Sequence, residues 1–156
     1  MQNRPGVLAQ VSGLFAARGY NIDSLAVGRT EDPSISRMTI VVIGDDGVLE
    51  QVRKQLSKLI PVERIRDFPW EELVQRDLML VKITAIPEKR TEIQSMIDMF
   101  DAKVADFGPR HVMVEISGPE EKIEAFIDNC RSYGIKDMAR SGMIAMPKYK
   151  KDQGNK

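Results

Sequence analysis

HVMVEISGPEEKIEAFI, residues 111–127, changes its apolar pattern halfway along, and this change is the main indicator of the fold. In its first part the apolar residues alternate with their neighbours, as in a strand with one buried face: Val112, Val114 and Ile116. Beyond Pro119, which suits a first helical turn, they recur at helical spacing: Ile123, Phe126, Ile127 and Cys130. We therefore predict a strand followed directly by an amphipathic helix.

The flanking sequence extends this unit in both directions. DLMLVKITA (77–85) has the composition of a strand, and KVADFG (103–108) suits the hairpin partner of HVMVEIS. A helix between them is indicated by one apolar face: Ile93, Met96, Ile97 and Phe100. IKDMAR (135–140) adds a last strand. The predicted order is strand, helix, strand, strand, helix, strand, which is the ferredoxin-like βαββαβ arrangement.

The first half of the chain repeats this order without its opening strand. A helix is predicted over residues 6–18, followed by a hairpin of residues 21–30 and 36–44 around the turn sequence EDPS. A second helix begins near Asp46, and VERIRD (62–67) is predicted as the closing strand. The fold class is therefore α+β, with two ferredoxin-like βαββαβ domains of which the N-terminal one lacks its first strand.

The domain boundary falls where both periodicities are lost. DFPWEELVQ (67–75) contains a proline and paired glutamates and follows neither pattern. We predict an N-terminal domain over residues 1–67, a linker over 68–76, a C-terminal domain over 77–147 and a disordered tail over 148–156.

Composition excludes several classes of function. Lysine and arginine number 23, as do aspartate and glutamate, and the balance holds in each half, so no basic field attracts nucleic acid or an anionic membrane. One cysteine and one histidine make neither a disulfide nor a zinc cluster. Without a membrane-length apolar run or a signal-peptide core, the chain is expected to be cytoplasmic and to bind neither nucleic acid nor membrane.

Few residues suggest chemistry by pattern alone. His111 has no nucleophile motif beside it, and Cys130 lies on an apolar helix face, so we expect no catalytic residue and no metal site. NRPG (3–6) opens the first helix, whose unpaired N–H groups can hold a carboxylate, although an ordinary turn and cap explains the same residues. At the other end of that helix, RGYNI (18–22) suits a glycine stop followed by a loop.

A family resemblance gives these two loops a function. Three motifs follow one another in the first half: NRPGVL, GLFAARGYNIDSL and TEDPSISRMTI. Their order resembles the N-terminal ACT domain of acetolactate synthase small regulatory subunits. The second half is similar to the C-terminal domain of that family through RDLMLVKI (76–83) and MARSGMIA (138–145). The resemblance therefore covers nearly the whole chain up to the tail.

The resemblance implies a non-catalytic regulatory subunit that forms a homodimer through its ACT domains. Such a subunit raises the activity of a large catalytic subunit in branched-chain amino-acid biosynthesis and confers feedback inhibition by a branched-chain amino acid, usually valine. The transferase complex condenses two pyruvates, or pyruvate with 2-oxobutyrate. Thiamine diphosphate, magnesium and FAD are expected on the catalytic partner, with no cofactor in this chain.

The family also implies an effector site shared between two chains. The loop that opens the first helix in one chain and the loop that closes it in the other contact the amino acid, which corresponds here to Asn3, Gly6, Val7, Leu8, Asn21 and Ile22. Family members carry a first strand before the asparagine, and its absence is expected to leave ladder groups unpaired unless another segment fills the gap. Two alternatives stay open: a stand-alone amino-acid-binding ACT module and a transcriptional regulator.

Overall fold

The computed structural model describes residues 1–149 and contains two compact units, each with its own core. One unit comprises residues 1–74 with residues 146–149, and the other comprises residues 75–145. Both are mixed α/β and follow the predicted βαββαβ-like order, the first of them in incomplete form.

The first unit contains helices α1 (Val7–Ala16) and α2 (Asp46–Leu56) and the antiparallel hairpin of β1 (Ile22–Arg29) and β2 (Ser36–Val42). The Asp45 side chain caps α2 by accepting a hydrogen bond from the Val48 amide at 2.9 Å. Both helices pack on the hairpin through a small buried cluster: Val11, Phe15, Val52 and Leu56. Half-buried apolar side chains surround this cluster, so the core of this unit is thinly covered.

The predicted strand VERIRD is wrong, because residues 62–67 form no strand. A strand is defined by its ladder, and among residues 1–149 the sheet of this unit has two strands, β1 and β2. Residues 1–3 occupy part of the expected gap: the Gln2 amide donates to the Pro61 carbonyl at 2.8 Å, and Gln2 forms an isolated antiparallel bridge with Ile35.

The second unit contains an antiparallel sheet in the order β4-β5-β3-β6, with β7 pairing with β3. The strands of this sheet are β3 (Leu73–Thr84), β4 (Lys103–Phe107), β5 (His111–Gly118), β6 (Ile135–Arg140) and β7 (Ile144–Pro147), and the helices are α3 (Arg90–Met99) and α4 (Glu120–Arg131). The first two residues of β3 and the last two of β7 belong to the first unit. The alternation predicted for β5 is confirmed, since Val112, Val114 and Ile116 are all buried. Both helices pack on that face, where the Phe100 and Phe126 rings meet edge to face at 5.1 Å.

Two boundaries differ from the sequence-based expectation. Residues 70–72 form a short 3-10 helix, and β3 begins at Leu73 within the expected linker. The strand β7 has no counterpart in the prediction. Of the expected tail, only Lys148 and Tyr149 lie within the described residues, and the Lys148 ammonium donates to the Glu71 carbonyl at 2.8 Å.

Candidate functional site

The opening of α1 is built around a glycine that no other residue replaces without strain. Gly6 has φ +84°, a left-handed conformation that turns the chain into the helix. Within residues 1–149 no side chain caps α1, and its first turn carries no acidic residue. The first-turn amides therefore keep their partial positive charge, which favours a carboxylate.

Asn3 holds this opening in place. Its amide Nδ2 donates to the Pro33 carbonyl at 2.9 Å, and its backbone N–H donates to the Ser34 carbonyl at 2.6 Å. These bonds fasten the segment before α1 to the turn between β1 and β2. Asn3 therefore sets the position of the loop that Gly6 completes.

A cavity of about 630 Å³ lies beside this opening, within the size range of small-molecule sites, about 300–1,000 Å³. Two cationic side chains, Arg4 and Lys58, line it together with the apolar side chains of Val7 and Leu59. Its remaining lining residues are Pro5, Gln10, Ile60 and Pro61. The cavity thus combines positive charge, a helix N-terminus and an apolar wall, the features that suit a free amino acid's carboxylate and aliphatic side chain.

The six predicted effector residues divide into two groups in this chain. Gly6, Val7 and Leu8 adjoin each other at the start of α1, with Asn3 just before them, while Asn21 and Ile22 follow its far end. Ten helical residues separate the groups by roughly 15 Å. One chain therefore does not bring the predicted set together.

Two of the six residues contribute to packing. Val7 is buried, and Ile22 packs against the core cluster of the first unit. The loop before Ile22 is tied to α2 by a hydrogen bond from the Tyr20 hydroxyl to Gln51 Oε1 at 2.7 Å. Leu8 and Asn21 remain exposed and are therefore accessible to a ligand or a second chain.

The cavity also includes residues that sequence reasoning missed. Lys58, Leu59, Ile60 and Pro61 follow the end of α2, far from Arg4 in sequence. A signal was available in the predicted topology, because successive helices of a βαββαβ unit lie antiparallel and the end of the second meets the start of the first. Lys58 is the residue that this reasoning would have added.

A buried carboxylate links the two motifs that carry the resemblance in the second half. Asp77, from RDLMLVKI, is 3% exposed and accepts hydrogen bonds from Arg140 Nε at 2.7 Å and from the Ser141 hydroxyl at 3.1 Å. Arg140 also pairs with Glu124 of α4 at 2.6 Å. Partial burial opposes the charged guanidinium, but Asp77 and Glu124 outweigh it and raise the pKa of Arg140. This cluster fastens β6 to β3 and α4.

The remaining candidates for chemistry are the single cysteine and the residue types that bind metal ions. Burial raises the pKa of the Cys130 thiol to about 12, which keeps it protonated and unreactive. Within residues 1–149 no three histidine, cysteine or carboxylate side chains are grouped closely enough to hold a metal ion. None of the helices in those residues has the length and apolar content that a membrane crossing needs.

Comparison with known proteins gives the family. Residues 1–64 match the model of the AHAS small subunit-like ACT domain, and residues 76–149 match that of the small subunit of acetolactate synthase. A probable acetolactate synthase small subunit of Archaeoglobus fulgidus is 50% identical over 146 residues, covering 94% of this chain and 91% of that protein. The chain belongs to the acetolactate synthase small-subunit family. The resemblance stated from the motifs is thereby confirmed.

Further relatives support the same assignment. The acetolactate synthase small subunit of Bacillus subtilis is 43% identical over 144 residues, covering 92% of this chain and 84% of its own length. The crystal structure of the acetolactate synthase small subunit from Thermotoga maritima superposes with a TM-score of 0.88 at 37% identity, covering 96% of this chain and 93% of that one. Membership in a small-subunit family implies a catalytic large subunit as partner.

Proposed function

We propose that this chain activates the catalytic large subunit of acetolactate synthase and confers feedback inhibition by a branched-chain amino acid, with valine as the first candidate. The catalytic partner would hold thiamine diphosphate, magnesium and FAD and carry out the condensation. The chain itself would act only through binding. The observation that carries the proposal is the cationic and apolar cavity at the uncapped opening of α1.

Each part of a free amino acid has a counterpart at this site. The first-turn amides of α1, with Arg4 or Lys58 nearby, suit the carboxylate. Leu8 offers exposed apolar surface to a short branched side chain, and Leu59 with the buried Val7 forms the apolar wall of the cavity. The ammonium group needs oxygen acceptors, which the amide of Asn21 would supply from a second chain.

The separation of the two loops supports a site completed by dimerisation. Because Asn21 and Ile22 lie at the far end of α1, they reach the opening only when they belong to another copy. We therefore propose a homodimer through the N-terminal units, with one effector site at each helix opening. In a dimer with two-fold symmetry, each chain supplies one helix opening and one closing loop, so two complete effector sites form.

We also propose that the predicted domain boundaries separate two domains with different functions. Residues 1–67 would form the ACT-type effector domain and residues 77–147 the second domain, joined by 68–76. Limited proteolysis of the chain should cut first between these domains. The cytoplasmic location of the complex stays a prediction.

Reconstitution tests the proposal. The large subunit from the same source is assayed for acetolactate formation with increasing amounts of this chain, with heat-denatured chain as the control. Saturable activation supports the regulatory role. A folded chain that leaves turnover unchanged contradicts it.

Calorimetric titration of the isolated chain with valine, leucine and isoleucine tests the effector site separately. A pocket distinguishes side chains that differ by one methylene by roughly 1–3 kcal/mol, so valine should differ about tenfold or more in affinity from leucine and isoleucine. Saturable binding without any effect on turnover would favour the alternative, a stand-alone amino-acid-binding module.

A further inference from the structure

The strand β4 forms an open edge of the second unit's sheet. Within the described residues it pairs only with β5, and all five of its residues are exposed. Val104 and Phe107 are 43% and 56% exposed, which leaves apolar surface beside unpaired backbone groups. Edges of this kind bind further strands unless charge or shape prevents it.

The strand β6, on the other side of β3, is better protected by charge than β7, which also pairs with β3 and has no charged residue. Three of the six residues of β6 are charged: Lys136, Asp137 and Arg140. In contrast, β4 has one charge of each sign, Lys103 and Asp106. The strands β4 and β6 therefore differ in charge, because β4 carries a balanced pair of charges on an otherwise apolar strand.

A bulge places the two charges of β4 on the same face of the sheet. Lys103 lies opposite Glu115 and Asp106 lies opposite Met113 in the ladder with β5, with a register shift between Val104 and Asp106. Glu115 and Met113 alternate with buried residues of β5 and face away from the helices. Lys103 and Asp106 therefore share the helix-free face, although three positions separate them.

The apolar end of β4 is fixed by its neighbours. The Arg90 guanidinium lies 4.8 Å from the centre of the Phe107 ring, and Arg90 Nη2 donates to the Pro109 carbonyl at 2.7 Å. These contacts hold the strand in position before any partner arrives, which lowers the cost of docking.

We propose that β4 is a homotypic docking edge, to which a second copy of this chain adds its own β4 in antiparallel orientation, with Lys103 opposite Asp106 of the second copy. In this register both ion pairs form on the same face, and Val104 lies opposite Ala105 of the second copy. A strand with the reverse charge order places like charges opposite each other at both positions, so the charge order of β4 is complementary to its own copy in the antiparallel register. This contact is additional to pairing through the N-terminal units.

Disulfide trapping of the full-length chain tests the register. In the variant K103C/D106C, the two new cysteines lie about 10 Å apart along one strand, too far for an internal bond. Buried Cys130 does not compete. Mild oxidation should yield a single covalent dimer, whereas the matched β6 control K136C/A139C should stay monomeric on a non-reducing gel. A β4 variant that stays monomeric, or that gives a ladder of higher oligomers, overturns the proposal.

Charge reversal gives a second measurement with substitutions confined to exposed residues. K103D and D106K should each raise roughly tenfold the dissociation constant for the association beyond the N-terminally paired dimer in sedimentation experiments, because like charges then face each other twice. The double variant K103D/D106K restores opposite charges and should return to the native value. Equal dissociation constants for all four proteins would show that the second copy does not dock on β4.

Discussion

Replacing Gly6 with aspartate should place a carboxylate where the effector's carboxylate binds. The left-handed φ of +84° strains any side chain, but an added Cβ meets no atom within 4 Å. Asp and Asn tolerate this conformation better than other residues, so the cost to folding should be about 1 kcal/mol. Both Gly6→Asp and Gly6→Asn should therefore fold.

Electrostatics determines the size of the effect on valine. Two like charges about 5 Å apart repel by roughly 1–3 kcal/mol at a partly exposed site, which weakens binding about 5- to 150-fold. The half-inhibitory valine concentration of the reconstituted enzyme should rise by this factor for Gly6→Asp. The activation by each variant in the absence of valine shows separately whether that variant still docks to the catalytic subunit.

Gly6→Asn is the matched control, because it has the same strain and nearly the same shape without the charge. Its half-inhibitory concentration should stay within a few-fold of the native value. If Gly6→Asp leaves valine inhibition unchanged, the opening of α1 does not hold the carboxylate. If both variants lose inhibition equally, shape rather than charge governs the site and the electrostatic reasoning fails.

Three further predictions concern single residues. Lys58→Met should raise the half-inhibitory valine concentration roughly fivefold, because it removes a cation from the cavity. The control Lys54→Met removes an ammonium that pairs with Glu50 at 2.7 Å and should leave that concentration unchanged. Equal effects of the two variants would exclude a role for Lys58. Asp77→Ala should lower the free energy of unfolding in urea by about 2–3 kcal/mol, because half-exposed Glu124 alone then partners the Arg140 guanidinium. An unchanged midpoint of urea unfolding would mean that the cluster of Asp77, Arg140 and Glu124 adds no stability. Cys130 should resist a thiol reagent at pH 8 in the native protein and react fully in urea, since burial raises its pKa to about 12. A rapid reaction of Cys130 in the native protein would contradict its burial.

The sequence predicted those elements whose burial follows from local periodicity. The face of β5 that bears Val114 is buried as the alternation requires, and α4 buries Phe126 and Cys130 as the helical spacing requires. In such elements one chain segment presents a complete pattern to one core. The pattern is therefore readable without its partners.

Elements that depend on distant partners were not predictable in the same way. VERIRD has strand-forming residues, yet it forms no ladder with β1 or β2, and the Gln2 amide donates to Pro61, one residue before it. Conversely, Leu73 belongs to β3 although its segment lacks strand periodicity. Backbone pairing decided both cases, and pairing is a property of two segments.

The candidate site shows the same division. Pro5 and Gly6 mark the opening of α1 by their own turn chemistry, so this half of the site was visible in the sequence. Lys58 reaches the cavity only because α2 ends beside the start of α1. That proximity comes from topology and has no local signal.

The regulatory role of this chain is best measured by acetolactate formation from the large subunit, with and without the chain, across a valine titration. We expect the chain to raise the rate and valine then to lower it toward the rate of the catalytic subunit alone. A folded chain that binds the large subunit but changes neither the rate nor its response to valine would contradict this role.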